Sequence, residues 1–298
     1  MKIPEKLKIG DKIGIISTAR KITFAELSPA IKLLESWGLV VVLGDNLFEE
    51  DNQFSGTILQ RSADLQSMID NENIKAILCA RGGYGTVQII DEIDFSNMIK
   101  IPKWIIGYSD VTVLHSHLNN LGIASLHATM PINFETNTKE SLDSLKATLF
   151  GNKNYIECGE NFFNRIGKVE AEIVGGNLSI LYSLLGSVSD IDTDGKILFI
   201  EDLDEYLYHI DRMLMNLKRN NKFAKLKGLI VGGMSDMNDN EISFGKTAEE
   251  IILEHTKDYE FPICFGFPAG HLTDNRCVRL GTSSLLEINE NGVSFSQE

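Results

Sequence analysis

Apolar positions along this chain alternate between two spacings. Residues 12–17 (KIGIIS) form a short apolar run of strand type. Residues 24–37 follow with Leu27, Ile31 and Leu34 at helical spacing, and Gly38 ends that segment. The alternation continues with a strand at 39–43, a helix at 61–70 carrying Leu65, Met68 and Ile69, a strand at 76–80, a helix at 87–93 and a strand at 104–107. Continuous apolar strands separated by amphipathic helices predict a parallel sheet buried between helices. Residues 1–150 are therefore expected to form an α/β domain.

The character changes at residues 151–167, which are polar, rich in Asn, and carry Gly151, Gly159 and Gly167. A linker is expected there. Beyond it, residues 168–298 show strands at 171–174, 197–200, 229–231 and 263–267, and helices at 178–185, 208–218 and 244–255. In the second of these helices Ile210, Met213, Leu214 and Leu217 share one face. Two short runs, 284–288 and 292–295, predict a closing hairpin around Gly292.

Composition narrows the function. A length of 298 residues with 43% hydrophobic content suits two modest domains or one large one. A net charge of −14, from 28 basic and 42 acidic residues, argues against nucleic acid or an anionic membrane as partner. No run approaches the ~18 apolar residues of a membrane span, and the first residues lack the apolar centre of a signal peptide. The four cysteines, Cys79, Cys158, Cys264 and Cys277, are scattered and form no C-x-x-C pair. Neither a disulfide framework nor a metal site is expected, no cofactor is implied, and a reduced, cytoplasmic setting fits best.

Candidate chemistry gathers at strand ends. In Gly107-Tyr108-Ser109-Asp110-Val111-Thr112 an apolar strand stops at a glycine and a helical pattern begins two residues later, with Ser109 at the apex. A serine there stands clear of the sheet at a helix start, the geometry of a nucleophile elbow. The same two residues, Ser109 and Asp110, also suit a plain helix cap. Arg81-Gly82-Gly83-Tyr84-Gly85 follows another strand; it reads either as a nest of backbone N–H groups or as a tight structural turn. A serine nucleophile needs a base and a carboxylate to orient that base. Of the six histidines, His271 lies in a Gly- and Pro-flanked loop directly after an apolar strand. His115, on the helix after Ser109, points away from the apex. Glu201 directly continues an apolar strand, where a solvated surface charge is not expected, although Asp202, Asp204 and Glu205 extend the cluster toward a loop.

These segments, taken in order, resemble the LD-carboxypeptidase family of serine peptidases, which also includes the microcin-immunity peptidases. The resemblance runs nearly end to end. It is carried by Gly10-Asp11-Lys12-Ile13-Gly14-Ile15, Arg61-Ser62-Ala63-Asp64-Leu65, Ile74-Lys75-Ala76-Ile77, Arg81-Gly82-Gly83-Tyr84-Gly85, Gly107-Tyr108-Ser109-Asp110, Gly175-Gly176-Asn177-Leu178, Glu201-Asp202 and Gly266-Phe267-Pro268-Ala269-Gly270-His271. It implies an N-terminal flavodoxin-like parallel-sheet domain, a C-terminal β-rich α/β domain, and a site at their interface, often in a homodimer. It further implies Ser109 as nucleophile, His271 as base and Glu201 as its orienting acid, with the backbone N–H groups of Asp110 and Gly83 as oxyanion donors. The implied substrate is the tetrapeptide stem of recycled cytoplasmic peptidoglycan, cut at an L,D amide bond to release D-alanine. The alternative is an immunity-type peptidase acting on an aminoacyl-nucleotide conjugate. A substrate carboxylate needs a cationic or N–H-rich anchor, for which Arg81 and Thr18 are candidates. Departures from the family pattern lie at Ser17-Thr18-Ala19-Arg20 and at Arg279.

Overall fold

A computed structural model describes residues 1–297. In chain order the first half contains β1 (Lys12–Ile16), α1 (Phe24–Ser36), β2 (Val40–Leu43), α2 (Ile58–Asp70), β3 (Ile74–Cys79), α3 (Ser96–Lys100), β4 (Trp104–Gly107), α4 (Thr112–Asn120), β5 (Ser125–His127) and α5 (Lys139–Leu149). Then come β6 (Asn154–Cys158), β7 (Gly167–Asn177), α6 (Leu178–Ser183), β8 (Ile197–Leu203), α7 (Leu207–Arg219), β9 (Gly228–Ser235) and α8 (Ala248–Thr256). Four short strands close the chain: β10 (Ile263–Cys264), β11 (Val278–Leu280), β12 (Ser283–Asn289) and β13 (Gly292–Gln297).

The first sheet has the order β11-β5-β4-β3-β1-β2, with β1 to β5 parallel. Side-chain alternation builds its two faces. Ile13, Ile15, Ala76 and Leu78 meet α1 and α5 on one side, while Ile74, Ile77 and Cys79 meet α2 and α4 on the other. Strand order reverses between β1 and β3, which remain parallel, and this is the switch point beyond which such sheets hold ligands. Helix starts follow local rules: Thr23 with Glu26, Thr57 with Gln60 and Thr247 with Glu250 form reciprocal capping boxes.

The second sheet has the order β10-β9-β8-β7-β12-β13-β6. Its β10-β9-β8-β7 half is parallel and covered by α6, α7 and α8; its β7-β12-β13-β6 half is antiparallel. The α/β expectation for both halves holds, with one mostly parallel sheet followed by a mixed one.

Several local readings change. Residues 87–93 make two short 3₁₀ turns, Thr86–Gln88 and Ile90–Glu92, rather than a helix. The Thr86 N–H is taken by the Asp110 carboxylate, 2.8 Å away, so the segment starts as a clamp on its neighbour. The strand expected at 263–267 stops at Cys264, because the Phe265 N–H turns to the Asn164 side chain. The stretch expected as a linker contains β6, an edge strand of the second sheet. Finally, β11 crosses back and pairs antiparallel with β5, so the first sheet is completed by late chain.

Candidate active site

A cavity of about 560 Å³ lies where the two sheets face each other, beyond the carboxyl ends of their parallel strands. From the first sheet it receives Arg20 after β1, Arg81 and Gly83 after β3, and Ser109 after β4. From the second it receives Asn177 at the end of β7, Asp202 in β8 and His271 after β10.

Ser109 has φ 63°, a left-handed conformation that L-residues adopt at a cost of about 1–2 kcal/mol. The turn is supported from both sides. Val111 Cγ2 lies 2.8 Å from where a Cβ on Gly107 would sit, and Ser109 Oγ lies 3.2 Å from where a Cβ on Gly82 would sit. Glycine at both positions is what allows the apex to be this tight. The N–H groups of Gly83 and Asp110 have no hydrogen-bond partner among the described residues. His115 is buried behind the elbow and does point away from the apex: Nε2 donates to Gly107 O at 2.9 Å, leaving Nδ1 to accept from Ser125 Oγ at 2.8 Å. Burial pushes its pKa down to about 4.

On the opposite wall Glu201 has no exposed surface, and its Oε2 accepts both from His271 Nδ1 at 2.7 Å and from the His271 backbone N–H at 3.1 Å. An ionised carboxylate has no proton to donate, so Nδ1 carries the hydrogen and Nε2 keeps its lone pair. Burial opposes a charged imidazole, but the Glu201 charge, its hydrogen bond and the Asp202 charge outweigh it and raise the His271 pKa. The Tyr108 ring packs edge-on against His271 with centroids 4.9 Å apart, and Tyr108 Oη donates to Asn133 Oδ1 at 3.0 Å.

The backbone is shaped for this contact. β8 and β9 change register between Ile200 and Asp202, where an extra β9 residue bulges at Gly232-Gly233. Ala269 O lies only 2.4 Å from where a Cβ on Gly232 would sit, and the Gly233 N–H donates to it at 3.0 Å. Gly270, at φ 103°, lets the loop pass Glu201, whose Cβ lies 2.6 Å from where a Gly270 Cβ would be. Asn275 Oδ1 and Ser235 Oγ then hold Gly270 N–H and His271 O.

The structure thus brings Ser109, Asp110, Gly83, Arg81 and His271 onto one cavity, with Glu201 directly behind His271. Thr18 is not on that wall. It is fully buried, and its hydroxyl bonds Thr86 Oγ1 at 2.8 Å; Arg20, two residues on, occupies the cavity instead. Arg61, which the sequence marks only as part of a matching segment, is a buried guanidinium bonded to Thr18 O, Gly85 O and Gln88 Oε1, and it ties the glycine-rich turn to α2. Beyond that segment, its sequence signal is a charged residue at the start of an apolar helix face. Among the described residues no group of three or more His, Cys, Asp or Glu side chains is arranged to hold a metal, and no helix is long and apolar enough to cross a membrane.

Two sequence profiles match this architecture: the LD-carboxypeptidase N-terminal domain over residues 13–128 and the LD-carboxypeptidase C-terminal domain over residues 170–286. The chain falls in the class of serine-type peptidases. Within that class it belongs to the LD-carboxypeptidase family. A probable murein peptide carboxypeptidase of Bacillus subtilis (strain 168) is 35% identical to it, over 96% of this chain and 92% of the relative. The microcin C7 self-immunity protein MccF of Escherichia coli is 25% identical, over 98% and 95%. The crystal structure of muramoyltetrapeptide carboxypeptidase from Oxalobacter formigenes superposes with a TM-score of 0.88 at 25% identity, covering 96% of this chain and 98% of that one.

Proposed function

We propose that this protein removes the terminal D-alanine from murein tetrapeptide by acyl-enzyme chemistry. The observation that carries the reading is the 2.7 Å contact between buried Glu201 and His271 on the wall of the cavity that holds Ser109. His271 Nε2 takes the Ser109 proton as Oγ attacks the carbonyl of the L,D amide bond. Glu201 holds the ring in the correct tautomer and stabilises the imidazolium that forms. The free N–H groups of Asp110 and Gly83 receive the oxyanion. His271 then protonates the departing amine, D-alanine leaves, and water repeats the sequence on the ester. Arg81, with Arg20 beside it on the cavity wall, supplies the cationic side that a terminal carboxylate needs.

The Bacillus and Oxalobacter relatives, named for murein peptide and muramoyltetrapeptide, support this substrate. The setting that goes with it is peptide recycling in the cytoplasm, by a homodimer. The MccF relative favours a second reading, cleavage of an aminoacyl-nucleotide or related peptide conjugate. Mass spectrometry after incubation with tetrapeptide separates the two: release of one alanine is expected. An unchanged tetrapeptide alongside cleavage of an aminoacyl-sulfamoyl nucleoside would put the second reading in its place. Ser109→Ala should keep the fold and lower turnover about 10⁴–10⁶-fold; ordinary turnover in that variant would remove Ser109 from the chemistry.

A further inference from the structure

Two cysteines away from the candidate site meet at the seam of the second sheet. Cys158 ends β6 and Cys264 ends β10, the outermost strands on opposite edges of that sheet. Yet Cys158 packs against the buried cluster that contains Cys264. The sheet therefore curls until its edges approach. The chain between β6 and β7 closes the gap: Arg165 and Ile263 exchange backbone hydrogen bonds at 2.9 and 3.2 Å, and Asn164 Oδ1 accepts from the Phe265 N–H at 2.8 Å.

The four cysteines are not alike. Cys158 is half-buried and lines a surface cavity of about 390 Å³ beside Gly292 and Ser294. Hydrogen bonding from the Cys264 thiol, with the Arg276 charge assisting and burial opposing, holds the Cys158 thiol below its usual range. Cys264 lies fully buried behind it. Cys79 and Cys277 are fully buried too, and burial pushes both up to about 12. One half-buried cysteine at a surface cavity, packed on a cluster that holds a fully buried one, is the arrangement of an attacking and a resolving cysteine.

We propose that Cys158 and Cys264 form a reversible oxidation site at which a hydroperoxide converts the thiol pair into a disulfide across the sheet seam. The Cys158 thiolate attacks the peroxide, the O–O bond breaks, and the departing oxygen takes a proton to leave as alcohol, or as water from hydrogen peroxide. Cys158 is left as a sulfenic acid. Cys264 sulfur then displaces the hydroxyl, which leaves as water with the Cys264 proton. Two thiols lose two electrons, and one peroxide gains them. The bond ties β6 to the base of the segment that runs from Cys264 to His271, and it joins positions far apart in the chain, so it also restricts the unfolded state.

The test uses the full chain treated with hydrogen peroxide, alkylated, and mapped by mass spectrometry. The expected result is a loss of about 2 Da per chain, a linked peptide pair carrying Cys158 and Cys264, reversal by dithiothreitol, and Cys79 and Cys277 still alkylatable after denaturation. Cys264→Ser should instead accumulate oxygen on Cys158, and Cys158→Ser should give no bridge. Stepwise oxygenation of Cys158 without a bridge in the unsubstituted protein, a bridge between any other pair, or no reaction at peroxide levels that oxidise exposed thiols overturns the proposal. The mapping of the unsubstituted protein decides the matter even where a serine variant fails to fold.

Discussion

Glu201 sets the electrostatics of His271 from behind. Its Oε2 accepts two hydrogen bonds from that residue, while its Oε1 is buried with no partner among the described residues. A buried anion so poorly solvated gains strongly from a cation beside it, which is why the His271 pKa rises although burial alone would lower it. As the proposed general base, His271 must be neutral to accept a proton. Activity is therefore expected to rise with pH through a value above the ordinary ~6.5 of histidine. In Glu201→Gln the attraction disappears and burial prevails, so the acid limb of kcat/KM should move to lower pH while turnover falls about 10²–10⁴-fold through loss of the favoured tautomer. A pH–rate profile of both forms checks this; an unmoved limb would separate Glu201 from the base. At this level much was legible. Ser109 follows the end of β4 and His271 lies in the loop after β10, settings visible in the order of apolar and small residues, whereas β8 runs on past Glu201 to Leu203. Thr18 was misassigned and the buried role of Arg61 missed because burial depends on what packs over a residue. A threonine in a polar loop and an arginine on a helix both look exposed until Thr86 and the glycine-rich turn are placed above them.

Between β7 and α6 a single side chain organises one wall of the cavity. Asn177 Oδ1 caps α6 at Ile180 N–H, 3.1 Å away, and Asn177 Nδ2 donates to Asp202 Oδ1 at 2.9 Å. Its own N–H donates to Thr112 Oγ1 at 3.0 Å, linking the second sheet to the helix that follows Ser109. Gly176 permits that approach, since Thr112 Oγ1 lies 2.5 Å from where its Cβ would be. Asp202 also accepts from the Ser179 and Leu203 N–H groups, yet burial and the Glu201 charge push its pKa up to about 7. Asn177→Ala removes a cap and leaves a buried carboxylate short of a donor. A loss of about 2–3 kcal/mol is expected in urea unfolding, together with reduced activity. A change within ~0.5 kcal/mol would show that neighbouring donors compensate. Elements with a long apolar period were readable from sequence: α1, which also carries a capping box, and α7, whose apolar stripe suffices without a side-chain cap. Those that failed, residues 87–93 and 263–267, are short, and their backbone groups are claimed by the distant Asp110 and Asn164.

Across the whole molecule the two sheets are tied together by more than one covalent crossing. β11, from residues near the end of the chain, pairs with β5 and covers an edge that the first half would otherwise leave open. Asn137 Nδ2 donates to Leu272 O and Thr273 O, so α5's approach segment supports the loop carrying His271. Residues 1–150 expressed alone should therefore expose the β5 edge and aggregate, and residues 151–298 added in trans should restore solubility if they dock. Size-exclusion chromatography of the separate and mixed halves reads this out; a monomeric, stable first half would show that β11 is dispensable.

Local patterning alone determined that this chain alternates strand and helix, that parallel strands such as β3 and β4 are buried on both faces, and that its candidate residues lie toward the carboxyl side of strands. Those properties depend on neighbours within a few positions, where apolar spacing, glycine and capping residues act directly. Only the tertiary structure decided that β6 pairs with the distant β13, that β11 leaves its neighbours to join the first sheet, that Arg20 rather than Thr18 reaches the cavity, and that Cys158 packs against the cluster holding Cys264. Each of these depends on which distant backbone edge or buried surface is left unsatisfied, and that quantity exists only once the chain has closed on itself.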